Sequence, residues 1–187
     1  MRGSMPRKEK LLNDIVVSPD ERLQQECSLI DVANIGRETK KVAKRMLDDM
    51  YAADGCGLAG PQVGVMKQIV VIDVALEQNK PYVLINPKVI TADGPVRTTG
   101  EGCLSFPGIT VDVERPSHVI VHAYDLKGNL MPYEATEDLM AVCLQHEIDH
   151  LHGITMLDHL TPANKIKALQ EYQIVLANGA RPGEIGE

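Results

Sequence analysis

Tryptophan is absent from this 187-residue sequence, phenylalanine occurs once, and aromatic residues total 3%. Platforms that stack single-stranded bases have little to be built from, so aliphatic residues and eight methionines must fill the core. A surplus of positive charge is also missing: 19 Lys and Arg stand against 26 Asp and Glu, for a net charge of −7. That balance offers no general attraction to a phosphate backbone and argues against specific DNA binding. No apolar run reaches the roughly 18 residues of a membrane helix, which argues against a membrane protein. Cys27, Cys56, Cys103 and Cys143 are too sparse for a disulfide scaffold and form no CxxC pair, as expected of reduced thiols in a cytoplasm. The start, Met1-Arg-Gly-Ser4 with a second methionine at Met5, lacks the apolar stretch of a secretory signal. It reads as an expression leader, and residues 1–4 are set apart from the fold.

What remains is an ordinary globular mixture, 44% hydrophobic and 24% charged, of a length that predicts one domain over 1–187. From Glu38 to Ala53, Val42, Met46 and Met50 recur every four positions beside Ala43, Leu47 and Tyr51, the face of a helix that Asp54-Gly55 should stop. Residues 55–64 hold four glycines and a proline, which predicts irregular backbone brought close to something. Short β-rich runs follow at 68–74, 82–86, 88–91, 110–114 and 118–124. Each is bounded by Pro, Gly, Asn or Asp, as antiparallel strands and their turns would be. Thr136, ahead of two acids, predicts the N-cap of a helix that runs to Gly153. Leu139, Met140, Val142, Cys143, Leu144, Ile148 and Leu151 are spread around that helix, so it should be buried. Thr161-Pro162 opens a last helix with Ile166, Leu169, Tyr172 and Leu176 on one face, ending at Asn178-Gly179, and residues 179–187 are expected to be a loose tail. The expected class is α+β: antiparallel β-sheets packed around a central buried helix, with an N-terminal and a C-terminal helix.

Within the buried helix lies His146-Glu-Ile-Asp-His150, an HExxH pattern. At about 100° per residue the imidazoles sit about 40° apart and Glu147 about 60° beyond His150. Two imidazoles can then hold one metal while the carboxylate reaches a water bound to it. A metal would also offset the cost of burying these polar groups. The spacing leaves the third ligand open. Cys103 in Gly100-Glu-Gly-Cys-Leu-Ser105 is one candidate, although a free Cys is often just a small buried hydrophobe. Downstream, HExxHxxGxxM matches the metzincin protease pattern until Met156 stands where a His is required. Glu171 on the last helix could imitate a thermolysin-type ligand, although its neighbours read as an amphipathic surface. His118 and His122 share a strand face and, like His152 and His159, read as solvent-facing.

Three segments match one family in its order. Gly55-Cys-Gly-Leu-Ala-Gly-Pro-Gln62 resembles GxGLAAxQ, Glu101-Gly-Cys-Leu-Ser105 is EGCLS, and Gln145-His-Glu-Ile-Asp-His-Leu151 is QHExDHL. From Ser18–Leu23 to the end of the His helix the chain resembles the peptide deformylases. It departs from them at Gly60, where the family usually has Ala, and at Cys56, where an aliphatic residue is more usual. The resemblance implies a metallohydrolase that removes the formyl group from formyl-methionine on new polypeptides in a bacterial cytoplasm. It implies Cys103, His146 and His150 as metal ligands, with Fe²⁺ in the cell and Zn²⁺, Ni²⁺ or Co²⁺ able to substitute, and Glu147 as acid and base. It further implies an oxyanion held by the Leu104 N–H and the Gln62 amide, and Gly57 as a backbone contact to a peptide added as a strand. Cys56, Leu139, Val142 and Cys143 would line a methionine pocket. Glu101 and Asp149 are candidates to orient an imidazole, with Arg115 as their counter-ion. Work on nascent chains suggests contact with the ribosome through Lys165 and Lys167.

Overall fold

A computed structural model describes residues 7–75 and 79–186. Its helices are α1 (Arg7–Asn13), α2 (Arg37–Ala52), α3 (Leu139–Leu151) and α4 (Pro162–Ala177). The strands β1 (Gly57–Ala59), β2 (Ile69–Ile72), β3 (Tyr82–Cys103), β4 (Phe106–Tyr124) and β5 (Leu130–Thr136) form one antiparallel sheet in that order. The period of two in a strand explains how β2 serves two cores. Val70 and Ile72 pack with Leu84, Val121 and the α3 residues Leu144 and Ile148. Ile69 and Val71 turn the other way, onto Met46 and Met50 of α2 and Leu58. A third cluster sets Phe106, Ile109 and Val113 against Met156, Leu157 and Tyr172. Met46, Met50 and Met156 are fully buried, as the shortage of aromatics requires.

The α+β architecture, the buried α3 and the limits of α2 and α4 match the sequence expectations, while several boundaries do not. The runs 82–86 and 88–91 are parts of one strand, β3, and 110–114 and 118–124 are parts of β4. Register shifts fall between Ile85 and Lys88 and between Asp93 and Val96. Pro87 and the Gly94-Pro95 pair therefore sit at irregularities inside a long strand, where a missing ladder donor is tolerated, rather than at strand ends. β1 lies inside the glycine-rich segment, paired to β2 from Gly57 opposite Ile72 to Ala59 opposite Val70. β5 escaped the pattern because it is an edge strand, largely exposed and interrupted by Pro132. α1 lies ahead of every element expected from the sequence. The expected leader at residues 1–4 lies outside the described residues.

Thr136 ends β5, and the N-cap of α3 is Asp138, whose carboxylate accepts the Ala141 N–H at 2.8 Å. Glu137, at φ 54, makes the corner between them. On α4, Thr161 caps as expected. Its inner face is Ala168 and Tyr172 with Leu169 and Leu176 beside them, whereas Ile166 is 58% exposed. The expected loose tail is docked through its described residues: Glu184 O accepts from Gly108 N–H at 2.9 Å, and Ala180 N–H donates to Val175 O at 3.0 Å.

Residues 16–18 clasp two of the family motifs together. Val16 N–H donates to Gln62 O at 2.8 Å and Ser18 N–H to Ser105 O at 2.9 Å, while the Tyr172 hydroxyl donates to Ser18 O at 2.8 Å. The α4 helix thereby holds the segment that fixes the two motif segments beside α3.

Candidate metal centre

α3 is buried nearly all round, from Ala141 and Cys143 to His150 and Leu151, so its polar residues must find partners inside the protein. Cys103, at the end of β3, supplies one of them. The ligand atoms of Cys103, His146 and His150 all lie within 4.8 Å of one another, and Cys103 Sγ is 3.3 Å from His150 Nε2. Three donors of soft to borderline character converge on one point, the set that suits a divalent transition metal.

Charge around the donors is arranged to receive a cation. Burial alone would raise the Glu101 carboxyl, but hydrogen bonds from His146 and Arg115 overcome it and hold Glu101 down to about 2. Ionised Glu101 can only accept, so His146 donates through Nδ1 at 2.8 Å, which leaves His146 Nε2 as the ring nitrogen available to a metal. Arg115 grips Glu101 with two nitrogens and reaches Asp149 Oδ2 through Nη1 at 2.9 Å. Arg115 is only 4% exposed, so it is a buried counter-ion to both acids. Burial, with the nearby charges of His146 and Arg115, keeps His150 neutral as a ligand must be. Burial works against charge on His146, yet Cys103 and Glu101 raise its pKa in the metal-free chain.

Glu147 is buried, and its Oε2 has no hydrogen-bond partner among the described residues. Desolvation pushes the carboxyl up to about 8; a dication beside it would pull it back toward neutral pH, the range in which a general base works best. Its other oxygen rests on the β1 backbone. A Cβ on Gly57 would fall 2.5 Å from Glu147 Oε1 and 2.7 Å from Cys143 Sγ, so only glycine lets β1 lie this close to α3.

Gln62 is oriented by its neighbours. Its Oε1 accepts from Ala59 N–H at 2.8 Å, which commits Nε2 to the other side, where it lies 3.2 Å from Ser105 Oγ and 3.5 Å from Cys103 Sγ. Leu104 follows Cys103, and its side chain covers Gly55, where an added Cβ would meet Leu104 Cδ1 at 2.9 Å. The departure at Gly60 has a steric reason, since a Cβ there would lie 2.5 Å from Val65 O.

The proposed pocket residues divide. Leu139, 54% exposed, and Val142 share a cavity of about 590 Å³ with Arg97, Thr98, Thr99 and Gly100 of β3. Cys143 and Cys56 lie instead on the Gly57 side, with their sulfurs 3.8 Å apart. The hydrogen bond with Cys143 draws the Cys56 thiol below its ordinary range, and Cys143 rises correspondingly.

Other sequence candidates fall away from the centre. Met156 is buried in the third core cluster, and Glu171 is exposed on α4 outside the three-donor group. Asp149 accepts from His159 Nε2 at 2.7 Å and from Arg115, whereas His150 Nδ1 is buried without a partner among the described residues. Asp149 thus steadies Arg115 rather than an imidazole ligand. His118, expected to face solvent, lies between Asp93, its cross-strand partner, and Glu134 at 3.0 Å. Both acids raise its pKa, a pairing set by strand register and therefore absent from the linear pattern. His152 meets Glu26 at 2.7 Å. Ser105, the last residue of the Glu101–Ser105 motif, is fully buried against Gln62, a contact that the linear motif does not encode.

The polypeptide deformylase family model matches residues 12–166. A peptide deformylase of Hydrogenovibrio crunogenus is 41% identical over 167 residues, 89% of this chain and 96% of that protein. The crystal structure of a peptide deformylase from Synechococcus elongatus in complex with actinonin superposes with a TM-score of 0.80 at 40% identity, covering 85% of this chain and 86% of that one. That of a peptide deformylase from Legionella pneumophila gives 0.82 at 34% identity, covering 88% and 95%.

Proposed function

The chain belongs to the polypeptide deformylase family, and from that premise we propose that Cys103, His146 and His150 hold one divalent ion while Glu147 carries the protons of hydrolysis. As a deformylase, the enzyme hydrolyses the N-formyl group from the terminal formyl-methionine of newly made polypeptides and releases formate. The observation that carries the site assignment is the convergence of one thiol and two imidazoles within 4.8 Å, beside a buried and unpartnered oxygen of Glu147.

When bound, the ion polarises the formyl oxygen and lowers the pKa of its water. Glu147 takes the water proton and later delivers it to the leaving amine. Gln62 Nε2, already turned toward Cys103, and the Leu104 N–H donate to the developing oxyanion, each worth roughly 3 kcal/mol in comparable sites. β1 is an edge strand, so an extended peptide can add to it at Gly57. Cys143 and Cys56, beside Gly57, then receive the methionine side chain, while Leu139 and Val142 line the cavity against β3. The extent of the family match supports one domain over the chain. Formate release from a formyl-Met peptide, with no cleavage of internal peptide bonds, tests the reaction and separates it from an HExxH endopeptidase.

The bound metal is divalent, and we assign Fe²⁺ in the cell on the thiolate-plus-imidazole donor set, which Zn²⁺, Ni²⁺ or Co²⁺ can also occupy. An Fe²⁺ ion beside the Cys103 thiolate is open to oxidation at either partner, whereas Zn²⁺ has no redox chemistry. Formate release by the iron form is therefore expected to decay in air and to persist under argon, with the Zn²⁺, Ni²⁺ and Co²⁺ forms stable in both. Equal, lasting activity in air with iron retained as Fe²⁺ would defeat that expectation and leave the deformylase reaction untouched.

The bacterial relatives and the four free thiols support placement in a bacterial cytoplasm. Contact with the ribosome would fall on α4, where Lys167 is exposed and Lys165 pairs with Asp158. Pelleting with ribosomes should weaken in a Lys167→Glu variant; unchanged pelleting removes α4 from that role.

A further inference from the structure

Cys56 and Cys143 are 87 residues apart in sequence and 3.8 Å apart at sulfur, and the hydrolysis uses neither thiol as acid, base or ligand. Their surroundings differ in a useful way. Cys56 is partly exposed in the loop before β1, whereas Cys143 is 3% exposed on α3. The Cys56 backbone is pinned, because its carbonyl accepts from Asp73 N–H at 2.9 Å and lies 3.7 Å from Cys143 Sγ. Forming the bond would close the sulfurs from 3.8 Å to about 2.05 Å. An accessible thiol poised beside a resolving thiol is the arrangement of a redox-responsive pair. The remaining cysteines are placed otherwise: Cys103 belongs to the metal donors, and Cys27 is buried with its thiol pushed up to about 11 by desolvation.

We propose that Cys56 and Cys143 form a reversible disulfide driven by peroxide, which shuts the substrate site while leaving the metal donors intact. The Cys56 thiolate attacks one peroxide oxygen, the O–O bond breaks, and hydroxide leaves to be protonated to water, giving a sulfenic acid. Cys143 loses its proton and attacks that sulfur, and the S–O bond breaks with release of a second water. Two thiols are oxidised by two electrons in total, and one hydrogen peroxide is reduced to two waters. The disulfide ties the 55–56 loop to α3 and moves the Cys143 sulfur that lies against Gly57, where an added Cβ would be 2.7 Å from it. The loss of activity rests on the proposed peptide contact at Gly57; the cross-link does not.

The test uses Zn²⁺-loaded full-length protein treated with hydrogen peroxide, alkylated, and mapped as peptides without reduction. Zinc content and formate release are followed before and after dithiothreitol. A Cys56–Cys143 linked peptide, retained zinc and a loss of most formate release that dithiothreitol restores are expected. In a Cys56→Val variant the linked peptide should vanish, and peroxide should leave the ratio of treated to untreated activity near one. Both thiols recovered as alkylated peptides, or oxidation centred on Cys103 with zinc released, overturns the proposal. So does a linked peptide with unchanged formate release, or a Cys56→Val protein as peroxide-sensitive as the parent. Reduced protein that releases no formate at all would sink the deformylase function instead, and the peptide map would still decide the disulfide.

Discussion

Replacing Glu147 with glutamine in the metal-loaded enzyme is expected to lower kcat by about 10²- to 10⁴-fold while the ion stays bound. Glutamine keeps the shape that fits against Gly57 but cannot accept a proton from water. Glu147 is outside the three-donor group, so metal content should hold at the parent level. Near-normal turnover in metal-replete Glu147→Gln protein would take the proton-transfer role away from this residue. Stability supplies a second readout in the metal-free protein. Burial raises the folded Glu147 carboxyl from 4.5 to about 8, so between those values the folded state binds the extra proton. Its stability must therefore fall as pH rises across that window. The neutral amide escapes the penalty, and Glu147→Gln should show a smaller drop in thermal midpoint between pH 5 and about pH 8 than the parent does. Parallel curves would mean that the carboxylate is better solvated than its position indicates.

The parts of this structure that were legible in the sequence are those written at short range. The period of α3 and its HExxH spacing follow from one helical turn, and Thr161-Pro162 fixes the start of α4 by local chemistry alone. Long-range pairing is different. Prolines 87 and 95 resemble strand ends, yet they sit at register shifts whose partners lie more than twenty residues away on β4. Likewise Thr136 and Asp138 are both good caps, and the choice fell to Asp138 because β5 claims Thr136 for its pairing with His118. The HExxH motif implied a third ligand, but only the resemblance selected Cys103; the structure brings it to the imidazoles across a gap of 47 residues from His150. The Arg115–Glu101–His146 chain and the Cys56–Cys143 contact are of the same kind. Each depends on β3, β4, β1 and α3 meeting, which no local pattern encodes.

Cys103→Ala is expected to cost nearly all metal affinity and, with it, deformylation. Loss of an outer partner sets the scale: removing the group that orients a histidine ligand, here Glu101, costs about 10- to 100-fold in affinity. Removing Cys103 goes further, because it deletes a bond to the ion and the one thiolate among the three donors. Two neutral imidazoles then face a dication whose charge is offset only through Glu101 and Glu147, neither of them in the donor group. The alanine also empties the space 3.3 Å from His150 Nε2, so water can enter as a ligand but brings no negative charge at neutral pH unless the metal deprotonates it. Titration of metal-free protein with Zn²⁺ against a competing chelator measures the loss, and formate release at saturating Zn²⁺ measures what catalysis survives. Glu171→Ala should match the parent in both assays, because Glu171 is exposed on α4. If Cys103→Ala bound zinc as the parent does while Glu171→Ala lost it, the third ligand would move to α4 and the protease-type site would return.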